Sequence, residues 1–157
     1  MSRNLIASVI VLAALVTTGA AQQLPTKRVL TLEAAKRVSA AAEAEARRNN
    51  WAVTIAVVDD AGQLLLFQRM DGAKLVAIDI AQRKARTAVY FQGETKALEE
   101  EVTKGGRTAL LPIDGFMPLE GGVPLTSGGQ LVGAVGVSGM SGAQDAQCAI
   151  AGAATLK

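Results

Sequence analysis

The sequence predicts one α/β domain of the α+β kind, with the element order helix, hairpin, helices, hairpin, helix. Two apolar runs, Trp51–Val58 and Gln63–Arg69, flank a turn of sequence DDAG, which is typical of a β-hairpin. A second pair of apolar runs surrounds the turn Ser127–Gly129. Alanine-rich segments with helical periodicity lie before, between and after the two hairpins.

The first 21 residues have the pattern of a secretory signal peptide, which leaves residues 22–157 as a single domain. Arg3 precedes an apolar run, Leu5–Val16, and small residues up to Ala21 follow it. The run is too short to span a bilayer comfortably, so cleavage after Ala21 is preferred and an uncleaved anchor is the alternative. We therefore expect a periplasmic or secreted protein without stable membrane insertion after cleavage.

The helices follow from capping residues and apolar spacing. Thr31 is a predicted N-cap for a helix that ends near Arg48. The long helix is expected from about residue 73 to 90, and its predicted core face consists of Leu75, Ala77, Ile78, Ala81, Ala85, Ala88 and Val89. Val76 and Ile80 fall outside that face, beside Lys84 and Thr87, and indicate a subunit contact.

The second half of the chain is less regular. A short acidic helix is expected over 94–103, followed by an irregular apolar loop over 107–119 that packs under a neighbour or lines a pocket. Strands are expected near 121–126 and 130–137. Ser141 and Gln144 form a predicted capping box for the last helix, 144–156.

The composition of the chain limits the partners and the kinds of functional site that we expect. The net charge is +2 and only 3% of residues are aromatic, so nucleic acid is not an expected partner. The chain has no histidine and a single cysteine, which removes the commonest metal ligand and any disulfide within one chain. No nucleophile–base pair or metal-ligand cluster is evident, so the sequence does not indicate an enzyme.

Several segments together resemble the GlcG/HbpS family, whose domain also occurs at the C-terminus of PduO adenosyltransferases. The segments are, in order, TLEAA at 31–35, VTIAVVDDAG at 53–62, FQRMDGA at 67–73, IDIAQRKARTA at 78–88, LEGGVPL at 119–125, LVGAVGVSG at 131–139 and QDAQCAIAGA at 144–153. The resemblance implies a profilin-like α/β/α arrangement with a mainly antiparallel sheet of about five strands. It also implies homo-oligomers, heme or cobalamin ligands, and, for secreted members, a sensor role beside a partner protein.

The resemblance also suggests where a ligand is bound. Without histidine, heme iron would need a thioether, phenolate, thiolate or oxygen ligand, and the candidates are Met70, Tyr90, Met117, Met140 and Cys148. Arg69 and Lys84 are candidates to hold a carboxylate or a heme propionate. Asp71 lies at the adjacent turn, and Gly121 and Gly122 would let a ligand approach the backbone.

The expected function is a non-catalytic binding protein for heme, another tetrapyrrole or a small organic acid. The alternative is an accessory or sensor subunit that acts through a protein partner, for which the loop 107–119 and the Val76–Ile80 surface are the motivation. Packing alone would equally explain the methionines and the cysteine, since both residue types commonly fill gaps in a core.

Overall fold

A computed structural model of the protein describes residues 24–156. The predicted signal peptide lies outside this range. The described elements are α1 (Leu32–Arg48), β1 (Thr54–Asp59), β2 (Leu64–Arg69), α2 (Ala77–Tyr90), α3 (Thr95–Thr103), β3 (Gly122–Ser127), β4 (Gln130–Ser138) and α4 (Gly142–Ala153). No helix in this range is long and apolar enough to cross a membrane.

The sheet consists of two hairpins joined at the centre. Its order is β2-β1-β4-β3, and every neighbouring pair is antiparallel. The described residues thus form four strands, one fewer than expected. Asp59 stabilises the first hairpin turn, because its side chain accepts hydrogen bonds from the backbone N–H groups of Ala61 and Gln63.

Helices cover both faces of the sheet, which gives the three layers predicted. On one face α1 and α4 pack against Val53, Ile55, Val57, Val135 and Val137, all fully buried. On the other face α2 lies across β4, with Ala85, Ala88 and Val89 against Val58 and Ala134. The alternation of side chains along β1 and β4 sorts these residues onto the two faces.

Helix α2 approaches the sheet unusually closely, because β4 carries a glycine beneath it. A Cβ atom at Gly136 would lie 2.1 Å from the carbonyl oxygen of Ala81 and 2.6 Å from the backbone nitrogen of Ala85. These contacts are to backbone and cannot be relieved by a side-chain rotation. Only glycine therefore fits at this position.

Three predictions about α2 were wrong. The helix begins at Ala77 rather than near residue 73, and Leu75, which we placed on the core face, is 74% exposed. Lys84 and Thr87, which we placed on the outer face, are 2% and 1% exposed. Thr87 is covered by the loop 107–119, since its hydroxyl accepts a hydrogen bond from the backbone N–H of Met117.

The two strands of the first hairpin are buried to different extents. In β1 the side chains on both faces are buried. Strand β2 lies at the edge of the sheet, where Leu64 and Phe67 are 44% and 38% exposed. An edge strand has only one neighbour, so its outer side chains are covered less well.

The capping predictions agree with the structure. The backbone N–H of Ala34 donates to Thr31 Oγ1 at 3.2 Å. The backbone N–H of Ser141 donates to Gln144 Oε1 at 3.2 Å. In the loop 107–119, Leu110 and Phe116 are buried against Leu98 of α3, so this loop covers part of the domain's own core.

Candidate functional site

A buried ion pair between α2 and α4 is the centre of the candidate site. Lys84 Nζ lies 2.9 Å from Asp145 Oδ2, and both side chains are 3% exposed. Lys84 also donates to the backbone carbonyl of Val137 at 3.0 Å. The second carboxylate oxygen of Asp145 accepts the backbone N–H of Met140 at 2.9 Å. Both charged groups therefore have partners despite their burial.

Two glycines, one just before β3 and one at its first residue, leave the space that this ion pair occupies. A Cβ atom at Gly121, where φ is +125°, would lie 2.9 Å from both Lys84 Nζ and Asp145 Cβ. At Gly122 a Cβ atom would lie 2.5 Å from the carbonyl oxygen of Lys84. The backbone N–H of Gly122 already donates to Thr95 Oγ1 at 2.8 Å. Protein atoms thus fill the space that we assigned to a ligand.

The surroundings of Asp145 shift the pKa of its carboxyl group in two opposite directions. Removal of the carboxylate from water raises its pKa, while the charge and hydrogen bond of Lys84 and the backbone N–H donors at Met140 and Gly139 act to lower it. The net direction is upward, so desolvation outweighs the ion pair.

A cavity of about 170 Å³ opens beside the ion pair. It is lined by Ile80, Lys84, Glu99, Leu119, Glu120, Ser138, Met140, Gly142 and Asp145. We call it the Met140 cavity, because this side chain is 39% exposed at its border. Three carboxylates and one ammonium group line it, so it does not favour an anion, and the expected carboxylate-binding role of Lys84 loses its support.

Two hydroxyl groups lie at the same end of the sheet. Thr54 and Ser138 are directly opposite each other in the β1–β4 ladder, so their side chains share a face. The Thr54 hydroxyl is buried and has no hydrogen-bond partner among the described residues. Ser138 is 5% exposed and lines the Met140 cavity.

The other predicted site residues are dispersed. Arg69 and Asp71 are exposed at the end of β2, and Met70 packs on the α1–α4 core. They share an end of the sheet with Gly122, but β1 and β4 lie between. Tyr90 is at the opposite end, where its ring lies against Gly62 of the first hairpin turn. One chain therefore does not bring Met70 and Tyr90 to a shared iron.

The remaining iron-ligand candidates differ in access. Cys148 is fully buried, and burial raises the pKa of its thiol to about 11, which disfavours the thiolate that would bind a metal. Met117 is half-buried in the loop 107–119. Met140 lines a cavity and reaches solvent. Among residues 24–156, no three His, Cys, Asp or Glu side chains are arranged closely enough to hold a metal ion between them.

Comparison with known proteins identifies the family. Residues 30–154 match the family described as "Haem degrading protein HbpS-like". The chain belongs to this family. Protein GlcG of Escherichia coli (strain K12) is 50% identical over 113 residues, which cover 72% of this chain and 84% of GlcG.

Solved structures of the family share the fold. A double mutant of HbpS from Streptomyces reticuli is 38% identical with a TM-score of 0.79, over 92% of this chain and 99% of that one. The PduOC–heme complex is 29% identical with a TM-score of 0.76, over 83% and 96% of the two chains. This HbpS-like chain therefore has the profilin-like fold of its family.

Our sequence prediction missed Asp145 and Ser138, and also Glu99 and Glu120, as residues of this site. Asp145 lies 61 positions after its partner Lys84, a separation at which helical periodicity gives no information. Its position in the first turn of α4 is explained by the helix dipole alone, so no local signal pointed to Lys84.

Proposed function

We propose that this HbpS-like protein is a non-catalytic, exported binding protein for heme or a related tetrapyrrole. The observation that carries the proposal is the position of Met140, an iron-ligand candidate that is both accessible and next to a cavity. A thioether is an established axial ligand of heme iron. Family membership and the heme complex of PduOC support the same ligand class.

The charges of the Met140 cavity suit the metal end of such a ligand. Glu99, Glu120 and Asp145 outnumber Lys84, and one carboxylate remains in excess when the Lys96 ammonium group, 3.0 Å from Glu120, is included. A ferric porphyrin carries a positive charge at its centre. The propionates would then point away from the cavity, into solvent. Apolar side chains of Ile80 and Leu119 line the same cavity and offer contact to the ring.

The size of the cavity implies that one chain encloses only part of a tetrapyrrole. Its 170 Å³ lies below the roughly 300–1,000 Å³ of typical ligand pockets. We propose that a homo-oligomer completes the site. Exposed apolar residues near the start of α2, Leu75 at 74% and Val76 at 62%, supply a surface for that contact.

A hemin titration followed in the Soret region, with size-exclusion chromatography, tests this function. We expect a saturable spectrum that elutes with an oligomer. Met140→Ala should weaken binding about 10-fold or more and shift the Soret maximum, whereas Met117→Ala serves as the matched control and should bind as the wild type does. Met140→His should restore a ligand and tighten binding. Equal hemin affinity of the wild type and Met140→Ala would refute the assignment.

The non-catalytic and exported character need their own measurements. Hemin bound to the protein should keep its Soret band in the presence of a reductant and oxygen; conversion to an open-chain tetrapyrrole would show that the protein is an enzyme. Cell fractionation with mass spectrometry should place the chain in the periplasm or medium with Gln22 at its N-terminus.

A role as an accessory or sensor subunit is the second candidate. Leu111 and Ile113 of the loop 107–119 are 52% and 47% exposed, an arrangement suited to a protein contact. Leu111→Ser with Ile113→Ser should then abolish capture of a partner while hemin binding is unchanged. If the double variant kept both partner capture and hemin binding, that result would argue against this candidate.

A further inference from the structure

A second cavity of the described domain lies far from Met140. It has a volume of about 310 Å³ and lies between the segment before α1, the first turns of α1 and the β3–β4 turn. Its lining consists of Arg28, Val29, Leu30, Thr31, Ala34, Arg37, Ser127, Val132 and Leu156. We call it the two-arginine cavity. Because Ser127 and Ser138 are at opposite ends of their hairpin, the two cavities are separate sites.

Among the described residues that line the two-arginine cavity, the charged side chains are both positive. They are Arg28 and Arg37, and this part of the lining contains no Asp or Glu. Within residues 24–156, no carboxylate lies within 4 Å of either guanidinium, and this holds also for Glu33, which lies one turn before Arg37 on α1. Two cations without an acidic neighbour favour an anion at this position.

Contacts with the β3–β4 turn limit the motion of the Arg28 guanidinium before any ligand arrives. Its Nη1 lies 3.4 Å from Ser127 Oγ, and its backbone N–H donates to Gln130 Oε1 at 3.2 Å. The guanidinium carbon lies over Gly128, where a Cβ atom would approach to 2.9 Å. A fixed guanidinium loses less conformational freedom when it forms a bidentate hydrogen bond.

The rest of the lining is apolar. Leu30, Ala34 and Val132 are 8%, 8% and 2% exposed and form its floor, while Val29 and Leu156 complete the walls. An inorganic anion would leave this surface in contact with water. A ligand with a carboxylate at one end and a short hydrocarbon chain at the other would match both parts.

We propose that the two-arginine cavity binds a monocarboxylic acid with a short alkyl chain, its carboxylate bridging Arg28 and Arg37 and its chain lying on Leu30, Ala34 and Val132. A carboxylate accepts two parallel N–H bonds from a guanidinium fork. The cavity volume is at the lower limit for small-molecule sites, which suits a chain of a few carbons.

An NMR titration with hexanoate tests the proposal. The sample is protein purified after expression of the full sequence. Amide shifts are expected at Arg28–Thr31 and at Ser127, and the binding should saturate. Acetate should bind at least about 10-fold more weakly, because it lacks the chain that covers the apolar floor. Hexanamide, which is neutral and nearly the same shape, should produce no saturable shifts.

Charge variants locate the site. Arg37→Gln and Arg28→Gln should each weaken hexanoate binding about 10-fold or more, and Lys36→Gln, an exposed neutralisation on the same helix, should leave it unchanged. All three positions are exposed, so the fold should persist. Met140→Ala should bind hexanoate normally, which separates this site from the proposed heme site.

Several results would overturn the proposal. They are hexanamide binding as tightly as hexanoate, equal affinities for acetate and hexanoate, unchanged affinity in both arginine variants, and shifts confined to the exposed Arg69. Each would show that the two guanidinium groups and the apolar floor do not act together on one ligand.

Discussion

Replacement of Lys84 by methionine should show how much the buried ion pair contributes to stability. Methionine keeps most of the aliphatic length and removes the ammonium group. Asp145 would then remain 2% exposed, with only backbone donors to stabilise its charge. Loss of one partner of a buried pair costs about 3–5 kcal/mol, so we expect a loss of about that size in the free energy of unfolding at pH 8.

The same variant should depend on pH in a defined direction. Burial already raises the pKa of Asp145 in the folded state, and without Lys84 this pKa rises further. Between the unfolded pKa near 4 and the higher folded value, the folded state binds more protons than the unfolded state. The stability of Lys84→Met should therefore fall as pH rises through that window, and the cost of the substitution should be smaller at pH 5 than at pH 8.

Denaturant unfolding provides the assay, with the fluorescence of Trp51, the single tryptophan, as the probe. It packs against the main core and should respond to global unfolding. A double-mutant cycle with Asp145→Asn should give a coupling energy of about 2–3 kcal/mol. Lys104→Met is the matched control, because Lys104 lies 3.1 Å from Glu100 while the side chains are 75% and 50% exposed.

The control should lose at most about 0.5 kcal/mol. The ion-pair distances are nearly the same, so the comparison isolates burial. If Lys84→Met also lost under 1 kcal/mol, or if its cost did not change with pH, the pair would have to be solvated and our description of the site would be incorrect.

Three further predictions concern other parts of the domain. Gly136→Ala should destabilise the fold by about 3 kcal/mol or more in a denaturant titration, because its Cβ would overlap the backbone of α2; Gly93→Ala, with its nearest contact at 3.7 Å, should be close to neutral. Cys148 should react with a disulfide reagent at pH 8 about 100-fold or more slowly in the folded protein than in denaturant, because burial raises its pKa to about 11; equal rates would contradict its burial. A hydrogen bond from Gln147 lowers the pKa of Glu45, so Glu45 stabilises the fold above pH 4.5 and this contribution is lost as pH falls through the lower folded pKa; acid unfolding of Glu45→Gln should start from a lower stability and depend less on pH.

The elements that could be predicted from the sequence are those determined by near neighbours. The turn at 59–62 and the cap at Thr31 depend on side chains that bond to backbone within four residues. The family could also be predicted, because its motifs occur in order along the chain. Its profilin-like layers followed from that resemblance rather than from spacing.

The site was less predictable because its contacts are long-range. A helical wheel places Lys84 on the outer face of α2, and only the presence of Asp145 and the absence of a side chain at Gly121 make its burial tolerable. Met70 and Tyr90 are both next to strand or helix ends, a position that often faces a pocket. The sheet nevertheless separates them, since one follows β2 and the other packs on the turn before it.

The order of strands in the sheet has a consequence for how the chain folds. Each hairpin pairs strands that are close in the sequence. The central pairing of β1 with β4, which we call the β1–β4 seam, brings together residues that are far apart in the sequence, such as Thr54 and Ser138. Because the entropic cost of closure grows with loop length, the hairpins can form early and independently, and the β1–β4 seam must wait for α2 and α3 to be placed. The rate of folding should thus be governed by that one seam, and mutations along it should slow folding more than equally destabilising mutations in either hairpin turn.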